Sequence, residues 1–172
     1  MRILVTGGVR SGKSAHAEAL LRDRDTVTYV APGPMPSADD AEWAARVAAH
    51  RARRPATWTT RESTDLGDLP GGSVLVDCLG TWLTAQLDEL GAWEANAAST
   101  WRTRFDARLD AAVTAASTAA DLVLVTNEVG LGVVPEHASG RLFRDLLGTV
   151  NQRFAAVCDE VHLVVAGRVL VL

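Results

Sequence analysis

A three-layer α/β domain with a mostly parallel central sheet is the fold that the sequence predicts, and three observations carry the prediction. Short β-branched runs recur along the chain, helical stretches alternate with them, and the first run leads into a glycine-rich turn that opens a helix. The runs are Ile3 to Val5, Val27 to Val30, Val74 to Val76, Leu122 to Val125 and Val161 to Val165. Each is apolar enough to be a strand buried on both faces. Between them the pattern predicts helices over Ala15 to Arg22, Ala38 to Arg53, Thr81 to Leu90, Ala92 to Ala119 and Ser139 to Val157. Such alternation implies βαβ units, with ligands at the carboxyl ends of the strands.

Smaller features complete the outline. Val169 to Leu172 follows Gly167 closely enough to turn back as an antiparallel edge strand. Trp101, Phe105, Ala112 and Val113 fall at helical spacing in the long helix, as do Leu142, Leu146, Val150, Phe154 and Val157 in the last one, so both stripes read as core. Pro32 to Pro36 reads as a loop, and Leu69-Pro70-Gly71-Gly72 as a turn before a strand.

With 172 residues, 48% apolar and 22% charged, the chain is expected to form one domain over residues 1–172. Its net charge of -4 and pI near 5.5 argue against a nucleic-acid binder, which needs a basic face against phosphates. Cys78 and Cys158 stand outside any Cys-x-x-Cys or Cys/His cluster and are read as reduced, mostly buried thiols. A brief apolar run near Met1 is too short for a signal peptide, and no apolar stretch is long enough to span a membrane. The expected location is cytoplasmic.

The glycine-rich turn is Gly7-Gly8-Val9-Arg10-Ser11-Gly12-Lys13-Ser14, the Gly-x4-Gly-Lys-Ser pattern of a P-loop, placed between a buried strand and a helix as that motif requires. This makes the fold a RecA-like P-loop NTPase. Glycines let backbone N–H groups converge on phosphates at the positive end of the helix dipole. Lys13 supplies a cation for the β and γ phosphates, and Ser14 a hydroxyl ligand for Mg²⁺. Asp77, at the end of the Val74-Leu75-Val76 run, is the candidate second magnesium ligand, with a helix-capping or surface carboxylate as the alternative. The guanine-reading Asn-Lys-x-Asp of signalling GTPases is absent.

His50 is the other candidate reactive group. Its helix has Ser37 as a possible cap and Asp39 and Asp40 in the first turn. Trp43, Val47 and His50 share one helical face, while Arg46, Arg51, Arg53 and Arg54 surround the imidazole. Neutral imidazole attacks phosphorus well, and guanidiniums stabilise the charge that builds on a transferring phosphoryl group. On local features alone, a histidine near a helix end is more often a solvated surface residue. His16, His137 and His162 are expected to be structural or solvated.

Taken together, these residues resemble the bifunctional adenosylcobinamide kinase/adenosylcobinamide-phosphate guanylyltransferase family of cobalamin biosynthesis. The similarity runs through Ile3 to Ser14, Arg46-Val47-Ala48-Ala49-His50-Arg51, Arg54-Pro55, and Trp58-Thr59-Thr60-Arg61-Glu62. It continues through Asp77-Cys78-Leu79, Thr126 to Glu136, Phe143-Arg144-Asp145, Gly148 and Asn151-Gln152. The resemblance implies phosphorylation of adenosylcobinamide by ATP or GTP, then transfer of GMP from GTP to adenosylcobinamide phosphate through a GMP-histidine at His50. It places Glu62 and Asp77 in nucleotide binding and implies a homotrimer. Glu128 is placed to orient magnesium, a water or the substrate alcohol, with capping as the alternative, and Gly130-Leu131-Gly132 reads as a lid or a tight turn. The chain departs from the family at Ala31-Pro32, where relatives carry Ala-Thr, at Ala85, where they carry asparagine, and in lacking a terminal lysine.

Overall fold

The structure, a computed structural model, describes residues 1–33, 41–94 and 100–172, without the side chains of Glu42, Trp43 and Arg46. Seven strands form one sheet: β1 (Arg2–Thr6), β2 (Val27–Ala31), β3 (Thr59–Glu62), β4 (Ser73–Asp77), β5 (Asp121–Val125), β6 (Glu160–Val165) and β7 (Arg168–Val171). Their order is β3-β2-β4-β5-β1-β6-β7, with every pairing parallel except β6 against β7. The mostly parallel sheet and the antiparallel C-terminal edge are as the sequence predicts. The helices are α1 (Lys13–Leu20), α2 (Ala41–Ala52), α3 (Leu79–Glu89), α4 (Trp101–Thr118) and α5 (Ala138–Ala155).

Alternate strand residues face opposite layers, which is why the central strands are apolar at consecutive positions. Leu4, Val74, Val76, Leu122 and Leu124 pack with α3, α4 and α5 around Trp82, Phe105 and Phe154. Ile3, Val5, Tyr29, Leu75 and Val125 face the other way, against Ala17 and Leu21. The Trp82 ring meets Phe154 edge-on with centroids 6.4 Å apart, and its indole N–H donates to the Thr64 carbonyl at 2.9 Å, so this fully buried ring is also polar-satisfied.

Two elements differ from the sequence reading. The helix expected from Ala92 to Ala119 is a 3-10 turn at Ala92–Glu94 followed by α4 from Trp101, with Thr100 at the N-cap position. Periodicity extends through this region and does not mark the boundary, and the Thr100 side chain makes no capping hydrogen bond there. The second difference is β3, which the sequence does not announce. Thr-Thr-Arg-Glu has no apolar alternation because β3 is a short, largely exposed edge strand that pairs only with β2. The expected Pro34 to Pro36 loop and the Ser37, Asp39 and Asp40 features lie outside the described residues. Among those residues, no helix is long and apolar enough to cross a membrane.

Candidate active site

β1 ends at Thr6, and the chain then passes through Gly7 to Gly12 before α1 begins at Lys13. Two glycines are required here. A Cβ on Gly7 would lie 2.4 Å from the Val164 carbonyl oxygen, and Gly12 caps α1 in the left-handed region at φ 96°. The loop is braced from both sides: Gly167 N–H donates to the Ser11 carbonyl at 2.8 Å, and Glu128 N–H to the Gly7 carbonyl at 3.1 Å. Lys13 is 9% exposed, and its Nζ donates to the Gly8 carbonyl at 3.1 Å, which folds the cation back over its own loop. Gly7→Ala is expected to destabilise the fold by about 1–3 kcal/mol, because a backbone oxygen must give way to the new methyl group. Thermal melts with and without GTP check this, and an unchanged melting temperature would sink the packing argument.

Strand order decides what faces the loop. β5 lies between β1 and β4, so Asn127 and Glu128 emerge between the P-loop and Asp77. The parallel register of β2 with β3 sets Glu62 beside Ala31 at the same end of the sheet. The last turn of α2 and the turn that follows it bring Arg51, Arg53 and Arg54 over this edge. Arg53 donates to the Glu18 carboxylate on α1 through Nε at 3.2 Å and Nη2 at 3.0 Å. Arg51 pairs with Glu62 at 2.5 Å. Arg54 stacks 3.6 Å over the Tyr29 ring while donating to the His50 carbonyl and to Thr60 Oγ1, both at 2.9 Å.

His50 sits within this collar with 30% of its side chain exposed. Its Nδ1 is 3.6 Å from Asp77 Oδ2 and 3.4 Å from Arg53 Nη2. Burial and the Asp77 charge push the Tyr29 phenol up, and burial with the same charge raises the Cys78 thiol. Desolvation lowers the Arg54 guanidinium from its ordinary range, and its hydrogen bond to Glu18 raises that of Arg53.

A cavity of about 690 Å³ opens over these groups, within the range of nucleotide-sized sites. Val9, Arg10, Ser11, Gly12, Lys13 and Ser14 line one side of it. His50, Arg51, Arg53 and Arg54 line another, with Glu62 and Asp77 between. Gly7 and Gly8 shape the loop rather than its wall. Of the helical face predicted for α2, Val47 and His50 both reach the cavity, whereas the side chains of Trp43 and Arg46 lie outside those described.

The residues also fit a hard divalent cation. Asp77, at the end of β4, and Ser14 line the same cavity, so a carboxylate and a hydroxyl, two oxygen donors of the kind magnesium takes, are within it. Among the described residues there is no cluster of three or more His, Cys, Asp or Glu side chains suited to holding a metal alone. Nucleotide phosphates characteristically complete magnesium sites of this type.

Several contributors had no role in the sequence reading, although Thr60 and Asn127 fall within the motifs of the family resemblance. Tyr29, Thr60 and Asn127 line the cavity, and Glu18 anchors Arg53. Tyr29 was legible only as part of an apolar strand, and Thr60 belongs to the unannounced β3. Glu128 both lines the cavity and accepts the Gly130 N–H at 2.8 Å, while Arg144 Nη2 donates to the Gly130 carbonyl at 3.0 Å. The segment is therefore a tied turn. Leu131 and Val133 beside it are nonetheless exposed. His137 is exposed at the N-cap of α5, whereas His16 and His162 bond each other at 2.8 Å, with His162 nearly buried. Cys78 and Cys158 are unpaired and only partly buried.

Comparison with known proteins shows the family. The chain is 43% identical to the bifunctional adenosylcobalamin biosynthesis protein CobU of Salmonella typhimurium over 97% of both chains. It is 42% identical to the protein of the same name in Escherichia coli, again over 97% of both. An ATPase from the type III secretion system of pathogenic bacteria superposes on 94% of this chain and 50% of its own with a TM-score of 0.54 at 12% identity, a likeness of P-loop fold alone. The family described as cobinamide kinase / cobinamide phosphate guanyltransferase matches residues 3–172, and the chain, an enzyme by that match, belongs to it.

Proposed function

We propose that this enzyme phosphorylates adenosylcobinamide with ATP or GTP and then transfers GMP from GTP to adenosylcobinamide phosphate, with His50 as the residue that carries GMP between the two substrates. The observation that supports this most directly is that a P-loop and an arginine-flanked histidine line one cavity. A kinase needs only the first of these. The histidine on the opposite wall supplies a nucleophile that phosphoryl transfer to an alcohol does not require.

In the kinase step, the loop amides and Lys13 hold the triphosphate so that the γ phosphorus faces the acceptor hydroxyl, and catalysis is mainly positioning and charge neutralisation. In guanylyl transfer, the same grip restrains the departing pyrophosphate while Arg51, Arg53 and Arg54 offset the charge around the α phosphate. Magnesium, held by Ser14 and Asp77, would neutralise phosphate charge when bound with the nucleotide. Glu62 contributes to nucleotide binding as the partner that keeps Arg51 at the cavity wall. The single domain over residues 1–172 is proposed to work as a homotrimer in the cytoplasm, a setting in keeping with two unpaired cysteines.

Separate isotopes test the two reactions. γ-Labelled ATP or GTP should phosphorylate adenosylcobinamide, and α-labelled GTP should deliver label to adenosylcobinamide phosphate by way of the protein. Label that reaches the product at full rate without ever residing on the protein would overturn the covalent route. Failure of both transfers would overturn the activity.

A further inference from the structure

The Asp77 carboxylate has a feature that magnesium binding alone does not explain. Its Oδ2, the atom buried without a hydrogen-bond partner, is the atom that faces His50 Nδ1 at 3.6 Å. Asp77 is held at the end of β4, a central strand paired on both sides, while His50 rides on α2 at the rim of the cavity. The rigid partner is thus the carboxylate and the adjustable one the imidazole. Resting on the reading of His50 as the GMP acceptor, we propose that Asp77 is its positioning residue: the carboxylate holds the proton on Nδ1 and leaves the Nε2 lone pair to attack the α phosphorus.

The alternative tautomer has its own candidate partner. Arg53 Nη2 lies 3.4 Å from Nδ1, and donation from it would move the proton to Nε2 and remove the nucleophile. Two facts favour Asp77. Arg53 is already bound through Nε and Nη2 to Glu18, so its hold on the imidazole is the weaker of its contacts. The reaction itself supplies the second. As Nε2 forms its bond to phosphorus, the bridging P–O bond to the β phosphate breaks and its electron pair leaves with pyrophosphate. The ring becomes an imidazolium that still carries Nδ1–H and a positive charge, and that N–H then needs an acceptor. A guanidinium has none to offer, whereas a buried carboxylate oxygen does. The same charge is repaid electron for electron when the acceptor phosphate attacks phosphorus and the N–P bond breaks, returning neutral imidazole with its proton still on Nδ1.

This role leaves the other Asp77 oxygen for a cation, and the two functions separate experimentally. A carboxylate that only binds magnesium serves both half-reactions alike. One that also sets the imidazole tautomer matters further only where His50 is the nucleophile.

The test joins a measurement on the unaltered enzyme with one on a variant. Protein labelled with ¹⁵N in its histidine rings is treated with GTP and magnesium, and ³¹P and ¹⁵N NMR identify which nitrogen carries GMP. The result expected is Nε2. In Asp77→Asn, formation of the His50 adduct is expected to slow by at least about tenfold more than phosphoryl transfer to adenosylcobinamide, since an amide can present its N–H to Nδ1 and favour the wrong tautomer. GMP on Nδ1 of the unaltered enzyme would overturn the proposal while leaving His50 as the acceptor, as would equal slowing of both half-reactions. Absence of any adduct on the unaltered enzyme would remove the acceptor role and this inference with it. Should the variant fail to fold, the nitrogen assignment decides alone.

Discussion

Replacement of His50 by alanine is expected to abolish protein-bound GMP and to reduce guanylyl transfer by at least about 10⁴-fold, because the covalent route loses its nucleophile and only positioning is left. Nothing else described at the cavity substitutes well. His16 and His162 are engaged with each other, and His137 stands exposed at the start of α5. Cys78 does line the cavity, but burial and the neighbouring Asp77 raise its thiol away from the reactive thiolate. The kinase half-reaction is expected to fall far less, by no more than about tenfold, since phosphoryl transfer uses the P-loop and the acceptor hydroxyl directly. Intact mass after GTP treatment reads the first effect, and γ-label transfer to adenosylcobinamide reads the second. Equal GMP incorporation in the variant and the parent would place the covalent site elsewhere.

Lys13→Ala is expected to behave differently, with both half-reactions losing about 10²-fold or more, on the order of 3 kcal/mol of transition-state stabilisation. Lys13 is almost completely buried, and its ammonium lies against the Gly8 carbonyl in the wall of the cavity. Removing it leaves the charge of the triphosphate to Arg51, Arg53 and Arg54, which line another side of the cavity. The loss should therefore be common to phosphoryl and guanylyl transfer. Initial rates of each half-reaction with saturating nucleotide measure it, and near-normal turnover in both would refute a phosphate role for the lysine. Comparison of the two variants is informative in itself: Lys13 marks what the reactions share, and His50 what distinguishes them.

Much of this was legible in the sequence because the relevant signals are local. A strand buried on both faces must be apolar at every position, so the five central strands stand out without any knowledge of their order. A P-loop is contiguous, and its glycines, lysine and serine carry their chemistry wherever the loop is placed. The run of arginines around His50 is likewise contiguous, in the last turn of α2 and the residues just after it. Edge strand β3 left no comparable trace, since its residues are mostly exposed and obey no burial pattern, and Glu62 could be assigned to the nucleotide only through the family resemblance.

What the tertiary structure alone decided is which of these local features meet. Insertion of β5 between β1 and β4 carries Glu128 to the mouth of the P-loop, and the β2–β3 register carries Glu62 to Arg51. The stacking of Arg54 on Tyr29 and the anchoring of Arg53 by Glu18 join the turn after α2 to β2 and α1, which no spacing along the chain encodes. The approach of His50 Nδ1 to the orphaned oxygen of Asp77 belongs to the same class. Residue type and periodicity determine what each segment can do, since propensity and patterning act over a few residues. Partner choice between segments is set by sheet order and packing, which act over the whole chain.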